Sequence, residues 1–301
     1  MSLKVKLKPA FWDHRDVAAG PYKHLFDFRR IWKLAVALTA GVAIVPLIAL
    51  TVLDFNLTKR SVESEILMLT SRLVSNTWRT ISFFMAEHKS ALNFTIRDNT
   101  IEELNDPERL AVILENLKSA FGGFTDLGLI DSSGKQMAYV GPYDLTGKDY
   151  SGQDWFKEVM NRGSYISGVF LGFRNVPHMV IAVKQKTADG LCYVLRVTLD
   201  TERFNNILYH LKVSGQGDIF VVNHQGTLQT PSRYYGRVLE KISLPIPQYS
   251  KKTRVYQGKN NGGQALVIGY AYIPETPFIL MIVKHKEALM KPWYITRLEV
   301  V

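Results

Sequence analysis

The chain has 301 residues, 47% of them hydrophobic and 21% charged, enough for about two domains with a sizeable core and unlike either a disordered tail or a polytopic membrane protein. Its formal charge of +10 would suit nucleic acid or an anionic membrane if it covered one soluble surface. The charge is concentrated instead: residues 1–33 hold eight basic and three acidic side chains, and the remainder has no basic run longer than two. A single cysteine, Cys192, excludes an intramolecular disulfide framework and a cysteine-based zinc site; within the apolar run 191–199 it reads as a small buried thiol.

Residues 34–53 contain no charge, and at helical rise twenty residues match the hydrocarbon thickness of a bilayer. The run is too long for the apolar core of a cleaved signal peptide, and no small-residue cleavage site follows it. Pro46 is tolerated in a span and signals at most a kink. Arg29, Arg30 and Lys33 flank the start and Asp54 the end, so the positive-inside rule puts a basic arm, 1–33, in the cytoplasm and everything after residue 54 outside, in the periplasm or extracellular space.

Beyond the span, Val62, Ile66, Leu69, Leu73, Ile81, Phe84 and Leu92 recur mostly at threes and fours, and no glycine or proline interrupts 57–98; this predicts a long amphipathic helix, roughly 60 Å in length. Such a helix outlasts one small domain, so it spans two lobes or pairs with a copy of itself. Asp106 and Pro107 predict a helix start, with Leu110, Ile113, Leu114 and Leu117 as its buried face.

The period then changes. Residues 127–134, LGLIDSSG, read as a strand entering a hairpin, and 219–226, IFVVNHQG, repeat that grammar ninety-two residues later. A second pair of hairpins, 179–184 with 191–199 and 265–272 with 278–284, shows a similar offset, which implies a duplicated unit. Between the hairpins of the first unit, Ser151 and Asp154 predict a capping-box-like helix start, with Gly163 at its end. Asp200 caps a helix carrying Phe204, Ile207, Leu208 and Leu211, which bridges the two units.

The stretch Gly147, Lys148, Asp149, Tyr150, Ser151, Gly152, Gln153, Asp154, Trp155, Phe156, followed by Tyr165, Ile166 and Ser167, resembles the signature of the membrane-distal lobe of double Cache sensors. The runs 26–53, 65–90, 105–123 and 274–297 are similar to bacterial membrane-bound sensor histidine kinases. The resemblance implies an α+β fold: an N-terminal transmembrane helix (34–53), a long stalk helix and a following helix (54–120), and two stacked PAS-like lobes with antiparallel sheets. The membrane-distal lobe would cover 121–200 and the membrane-proximal one 201–290. Lys291, Pro292, Trp293 and Tyr294 look like the interfacial lead-in to a second span, over 291–301. Amino-acid-sensing members carry an arginine and a tyrosine where this chain has Gln153 and Phe156. That departure removes the usual carboxylate clamp and a hydroxyl, so the resemblance does not extend to amino-acid recognition.

No catalytic constellation stands out. The histidines at 14, 24, 88, 178, 210, 224 and 285 lack metal-ligand spacing, Gly215 and Gly217 do not link a strand to a helix as a phosphate loop does, and no serine sits in a nucleophile elbow. No cofactor is expected. A binding pocket is better supported, because Tyr139, Tyr143, Tyr150, Trp155, Phe156, Tyr165, Phe170 and Phe173 gather around Asp149, Asp154, Arg174 and His178: aromatic walls with sparse polar anchors. Each aromatic can equally fill a lobe core, and Asp154 can simply cap a helix. Arg174 reads as an exposed loop charge contributing little to folding or as a clamp for a ligand carboxylate; His178 reads as a donor to a ligand or as a solvent-facing ring.

The candidate ligand-binding residues are therefore Tyr150, Trp155, Tyr165, Arg174 and His178, with no catalytic or metal residues. The function expected is the extracytoplasmic sensing region of an inner-membrane histidine kinase, binding a small molecule in the membrane-distal lobe. The kinase segment, with its phosphoacceptor histidine and ATP lid, is not in this sequence, which reads as a fragment of a longer receptor. The alternatives are the ligand-binding region of a chemoreceptor or cyclic-dinucleotide enzyme, and an anchored module that binds a protein partner. The partners expected are a small molecule, the membrane and a second copy in a parallel homodimer through the long helix, with no nucleic acid.

Overall fold

The computed structural model describes residues 28–300 except 188, 189, 210, 212, 215 and 261. The basic arm over 1–27, His210 and Gly215 lie outside the described residues. The chain divides into two compact units, one up to Glu63 and one from Ser64 onward.

Helix α1 (Phe28–Asp98) forms the described part of the first unit and opens the second. Span and stalk, expected as successive elements, are one continuous helix with Pro46 inside it, because residues 54–56 hold no helix breaker. Over 34–53 the large side chains, among them Leu38, Val42, Val45 and Leu47, face outward. An apolar surface of that kind fits a membrane anchor, and among the described residues this is the one helix long and apolar enough to cross a bilayer. Thr39 and Thr51 donate to the carbonyls of Ala35 and Leu47 at 2.7 and 2.8 Å, which satisfies hydroxyls that lipid cannot.

In the second unit α1 buries Thr70, Val74, Thr77, Ile81, Met85, His88, Leu92 and Ile96, at steps of three and four. Thr70, Thr77 and Thr95 fit this face because each hydroxyl donates to the carbonyl four residues earlier, at 2.8 to 2.9 Å. The stripe thus runs through Thr70, and Leu69, expected on the buried face, is exposed. Counting apolar residues cannot find a threonine that hides its own polarity. The buried His88 faces the carbonyls of Phe84 at 2.8 Å and Gly122 at 3.0 Å, tying α1 to the start of the first sheet. A short helix α2 (Ile101–Asn105) follows with a complete capping box between Thr100 and Glu103. Then comes α3 (Pro107–Phe121), with Asp106 at its N-cap and Leu110, Ile113, Leu114 and Leu117 buried, as expected.

Two antiparallel sheets complete the unit. The first contains β1 (Phe124–Asp131), β2 (Gln136–Val140), β3 (Ser164–Ile166), β4 (Met179–Lys186) and β5 (Cys192–Leu199) in the order β2-β1-β5-β4-β3. The second contains β6 (Asp218–Asn223), β7 (Arg254–Lys259), β8 (Ala265–Tyr272) and β9 (Phe278–His285) in the order β6-β9-β8-β7. Without β2, the first order matches the second strand for strand. The opening turns match as well: Asp131 Oδ1 accepts from the amides of Ser133 and Lys135 at 2.9 and 3.0 Å, and Asn223 Oδ1 accepts from those of Gln225 and Thr227 at 3.0 and 2.9 Å. Gly134 and Gly226 close these turns at φ of 97° and 77°, where a side chain would be strained.

One apolar core joins α1, α3 and the inner faces of both sheets. Phe204 of α5 (Thr201–Tyr209) lies between Phe84 of α1, 6.4 Å away, and Phe278 of β9, 5.8 Å away, so this bridging helix touches the stalk and the second sheet together. At Gly269 of β8 an added Cβ would lie 2.5 Å from Val74 and 3.1 Å from Thr70, so α1 crosses the second sheet over a glycine. The outer faces carry separate cores, Phe220, Val222 and Met281 on the second sheet and Val180, Val194, Trp155 and Val159 on the first.

Three local expectations are corrected. Helix α4 (Asp154–Arg162) has Gln153 at its N-cap and no side-chain cap, since the Ser151 amide is held by Asp149 at 2.8 Å in a preceding turn; Gly163 ends the helix as expected, at φ 82°. Cys192 is half-buried rather than buried, because β5 begins there beside the exposed Leu191. Leu211 lies beyond the last residue of α5. Lys291 to Tyr294 are part of α6 (Lys286–Val300), which contains Pro292.

Candidate functional site

Strand alternation sends Asp126, Gly128 and Ile130 of β1 to the outer face of the first sheet, where they pair with Thr198, Arg196 and Val194 of β5. Val180 and Ala182 of β4 continue those rows beside Thr198 and Arg196, and Tyr139 of β2 sits opposite Gly128. Arg196 thus stands between a glycine and an alanine. At Gly128 a Cβ would approach Gln136 Oε1 to 2.8 Å and Arg196 Nε to 3.4 Å, so the missing side chain is the space in which the guanidinium lies.

Arg196 is saturated. Nε and Nη2 donate to Gln136 Oε1 at 3.2 and 2.8 Å, Nη1 to Asp126 Oδ1 at 3.1 Å and Thr198 Oγ1 at 3.3 Å, and Nη2 also to the Tyr150 hydroxyl at 3.1 Å. Its guanidinium stands 5.1 Å from the Tyr150 ring centroid, within cation–π range. Asp126 receives a second guanidinium: Arg174 Nη2 donates to its Oδ2 and to Thr198 Oγ1, and the Tyr139 hydroxyl donates to Oδ2 at 3.0 Å. Burial alone would raise the Asp126 pKa, but the charges of Arg196 and Arg174 and the hydrogen bonds they and Thr198 supply hold it below the ordinary value. The Tyr139 phenol is pushed up, by burial first and by the Asp126 carboxylate second.

The roof over this cluster comes from two segments. Tyr150 precedes α4 and packs its ring 5.4 Å from Trp155 and edge-on to Phe173 at 5.2 Å. A narrow hairpin pairs Phe170 with His178 through two 3.0 Å backbone bonds, and its tip is a 3-10 turn, Gly172–Arg174. Gly172 at φ 52° and Asn175 at φ 54° set that tip; an alanine at 172 would put its Cβ 2.9 Å from both the Phe170 and His178 rings. Arg174, half-expected as an exposed charge, is instead turned under the sheet face with its side chain 3% exposed, because Asp126 is there to neutralise it. The His178 ring is also buried rather than facing solvent. Its Nδ1 lies 2.8 Å from the Val176 carbonyl, and burial lowers its pKa from 6.5 to about 4, so the ring is neutral and donates from Nδ1.

Tyr150, Trp155, Arg174 and His178 line one cavity together with Arg196, Gln153, Phe170 and Phe173. Tyr165 is not among its lining residues; on β3 it pairs with Ala182 and lies under Arg162, 5.6 Å from its guanidinium. The free space is about 10 Å³, about one water's worth, so as it stands the cavity is too small for anything larger. Asp149 and Asp154, expected beside the aromatics, are exposed. Sequence reasoning did not single out Asp126, Gln136, Arg196 or Thr198. The available signal was Arg196 itself, the one charge within 191–199, where a strand buried on both faces can hold a charge only if it is paired. Among the described residues no group of three histidine, cysteine or acidic side chains could hold a metal.

No protein-family model matches the chain, and no curated protein matches it in sequence. Solved structures do match its fold. The extracellular domain of a protein assigned as a histidine kinase, soHK1S-Z6, superposes with a TM-score of 0.58 at 16% identity, over 78% of this chain and 99% of that one. The ligand-binding domain of the Pseudomonas fluorescens chemoreceptor CtaA, in complex with L-isoleucine, gives 0.57 at 14% identity over 79% and 98%. The sensory domain of the Campylobacter jejuni chemoreceptor Tlp3 gives 0.56 at 13% over 78% and 99%. The chain therefore has the fold of the extracellular sensor domains of histidine kinases and chemoreceptors, with two sheets on one long N-terminal helix, the Cache-type arrangement.

Proposed function

We propose that this chain is the extracytoplasmic sensing region of a membrane-anchored receptor and binds a small molecule at the outer face of its first sheet. The observation that carries this reading is the cavity in which two buried guanidiniums, a neutral histidine and four aromatic rings converge under a three-residue turn. A fold does not need two arginines on one buried carboxylate, and burying them costs desolvation that a stability role does not require. The fold neighbours support a small-molecule ligand, CtaA being described with L-isoleucine and Tlp3 with L-valine.

In this reading residues 34–53 span the inner membrane with the N-terminus inside, 121–200 form the membrane-distal lobe and 201–290 the proximal one. The signal passes from the 172–174 turn and Tyr150 through the first sheet to α1, and a parallel homodimer forms along α1. A ligand can move the receptor only by its differential affinity for two states, and the unexpanded cavity is one of them. The output is a histidine kinase; a chemoreceptor output would use the same sensing geometry, and the coding sequence downstream of residue 301 separates the two.

The test is a thermal-shift screen of the whole chain in detergent with a broad small-molecule library. Any ligand that binds only the folded state raises the melting temperature by mass action. The reading predicts at least one stabilising compound whose effect disappears in Trp155→Ala; a library that yields none, or only compounds indifferent to Trp155, rejects the site.

A further inference from the structure

Resting on that reading of the cavity, we infer that its ligand is a monocarboxylate with an apolar body and no ammonium group, held by a charge-assisted hydrogen bond from Nη1 of Arg174. The charges decide the class. Arg174 and Arg196 both line the cavity, whereas Asp126, the carboxylate that pairs with them, lies behind them and does not. Two guanidiniums against one carboxylate leave a surplus of one positive charge, and His178 adds none. The nearby acids Asp149 and Asp154 are exposed. An ammonium entering this space would meet two guanidiniums and no carboxylate, while a carboxylate would neutralise the surplus.

The donors decide the anchor. Arg196 sits on the central strand β5 with all three nitrogens bonded to Gln136, Asp126, Thr198 and Tyr150. Among the described residues the hydrogen bonds of Arg174 run only through Nη2, to Asp126 and Thr198. Its Nη1 keeps both N–H groups for a second oxyanion, which would accept a charge-assisted hydrogen bond there. Arg174 also rides on the 172–174 turn, so the element that must move to enlarge the cavity carries the anchor with it. The aromatic wall, Tyr150, Trp155, Phe170 and Phe173, suits an apolar body.

Two matched sets of probes test this on the whole chain in detergent, by thermal shift and calorimetric titration. One set is 3-methylbutanoate, L-valine and 2-methylpropan-1-amine; the other is 3-phenylpropanoate, L-phenylalanine and 2-phenylethylamine. The expected result is that at least one acid binds and stabilises, and that its matching amino acid and amine bind about tenfold more weakly or not at all. Arg174→Lys, which keeps the charge but cannot bond Asp126 and a ligand through separate nitrogens, should weaken the acid about tenfold; Arg174→Gln should abolish it, with circular dichroism confirming that both variants are folded. Equal or tighter binding of an amino acid or amine overturns the inference, as does acid binding unchanged in Arg174→Lys. If neither acid binds but a library compound stabilises through Trp155, the inference fails and the site reading stands; if nothing binds through Trp155, both fall.

Discussion

Arg174 and Asp126, forty-eight residues apart, form an ion pair whose side chains are 3% and 0% exposed. The pair joins the tip of a hairpin to β1 inside the first sheet, so a residue expected to be dispensable for folding is part of the fold. Asp126 has Arg196 as a second cation at 3.1 Å, and the two pairings predict unequal costs. Asp126→Ala leaves two guanidiniums buried without a counter-charge and should cost on the order of 3–5 kcal/mol. Arg174→Ala leaves Asp126 still paired and should cost about 1–3 kcal/mol. Equilibrium urea unfolding of the two variants would contradict this if Arg174→Ala were the worse or were silent.

Acid should destabilise the fold in two separate windows. His178 binds its proton more weakly in the folded chain, so its contribution is complete above pH 6.5 and is lost as pH falls toward about 4. Asp126 also titrates below its ordinary value of 3.8 when folded, so its contribution is present above that value and disappears as pH falls through the lower folded one. His178→Asn, which keeps a donor for the Val176 carbonyl, should flatten the decline in melting temperature between pH 6.5 and 4 and leave the loss below it. An unchanged profile over the upper window would show that His178 does not set it.

Gly128→Ala tests the space beneath Arg196. The new Cβ would fall 2.8 Å from Gln136 Oε1, which must withdraw from the guanidinium it accepts from. Overpacking of this kind costs about 1–3 kcal/mol, and part of that cost should vanish in the Gly128→Ala/Gln136→Ala double variant. Strict additivity in the double-mutant cycle would mean the glycine serves some other purpose.

The dimer proposed along α1 makes a prediction about its outward stripe. Leu69, Phe83 and Phe94 are exposed, the two phenylalanines at 69% and 67%, while Leu73 packs partly against the chain's own core. In a Cys192→Ser background, cysteines at Leu69 and Phe83 should cross-link between chains in membranes, and one at the buried Met85 should not. Absence of cross-linking at both exposed sites in folded protein would indicate a monomer.

Patterns with a short period were legible in the sequence by themselves. The charge-free run at 34–53, the start of α3 at Asp106 and Pro107, and the twin turns closed by Gly134 and Gly226 each depend on a few neighbouring residues. Local sterics and hydrogen bonding determine them wherever the chain lies. The buried face of α1 was only partly legible, because Thr70 and Thr77 become core residues by bonding their own helix and so look polar in sequence. The candidate site divided along the same line. Tyr150, Trp155, Arg174 and His178 drew notice as aromatics and charges clustered along the chain. That Arg174 is buried, that Asp126 and Arg196 meet it, and that Tyr165 stands apart depended on β1, β5 and a hairpin tip arriving on one sheet face. A charge is buried or exposed according to whether its counter-charge is present, and that partner is brought there by strand order and register, which local sequence does not encode.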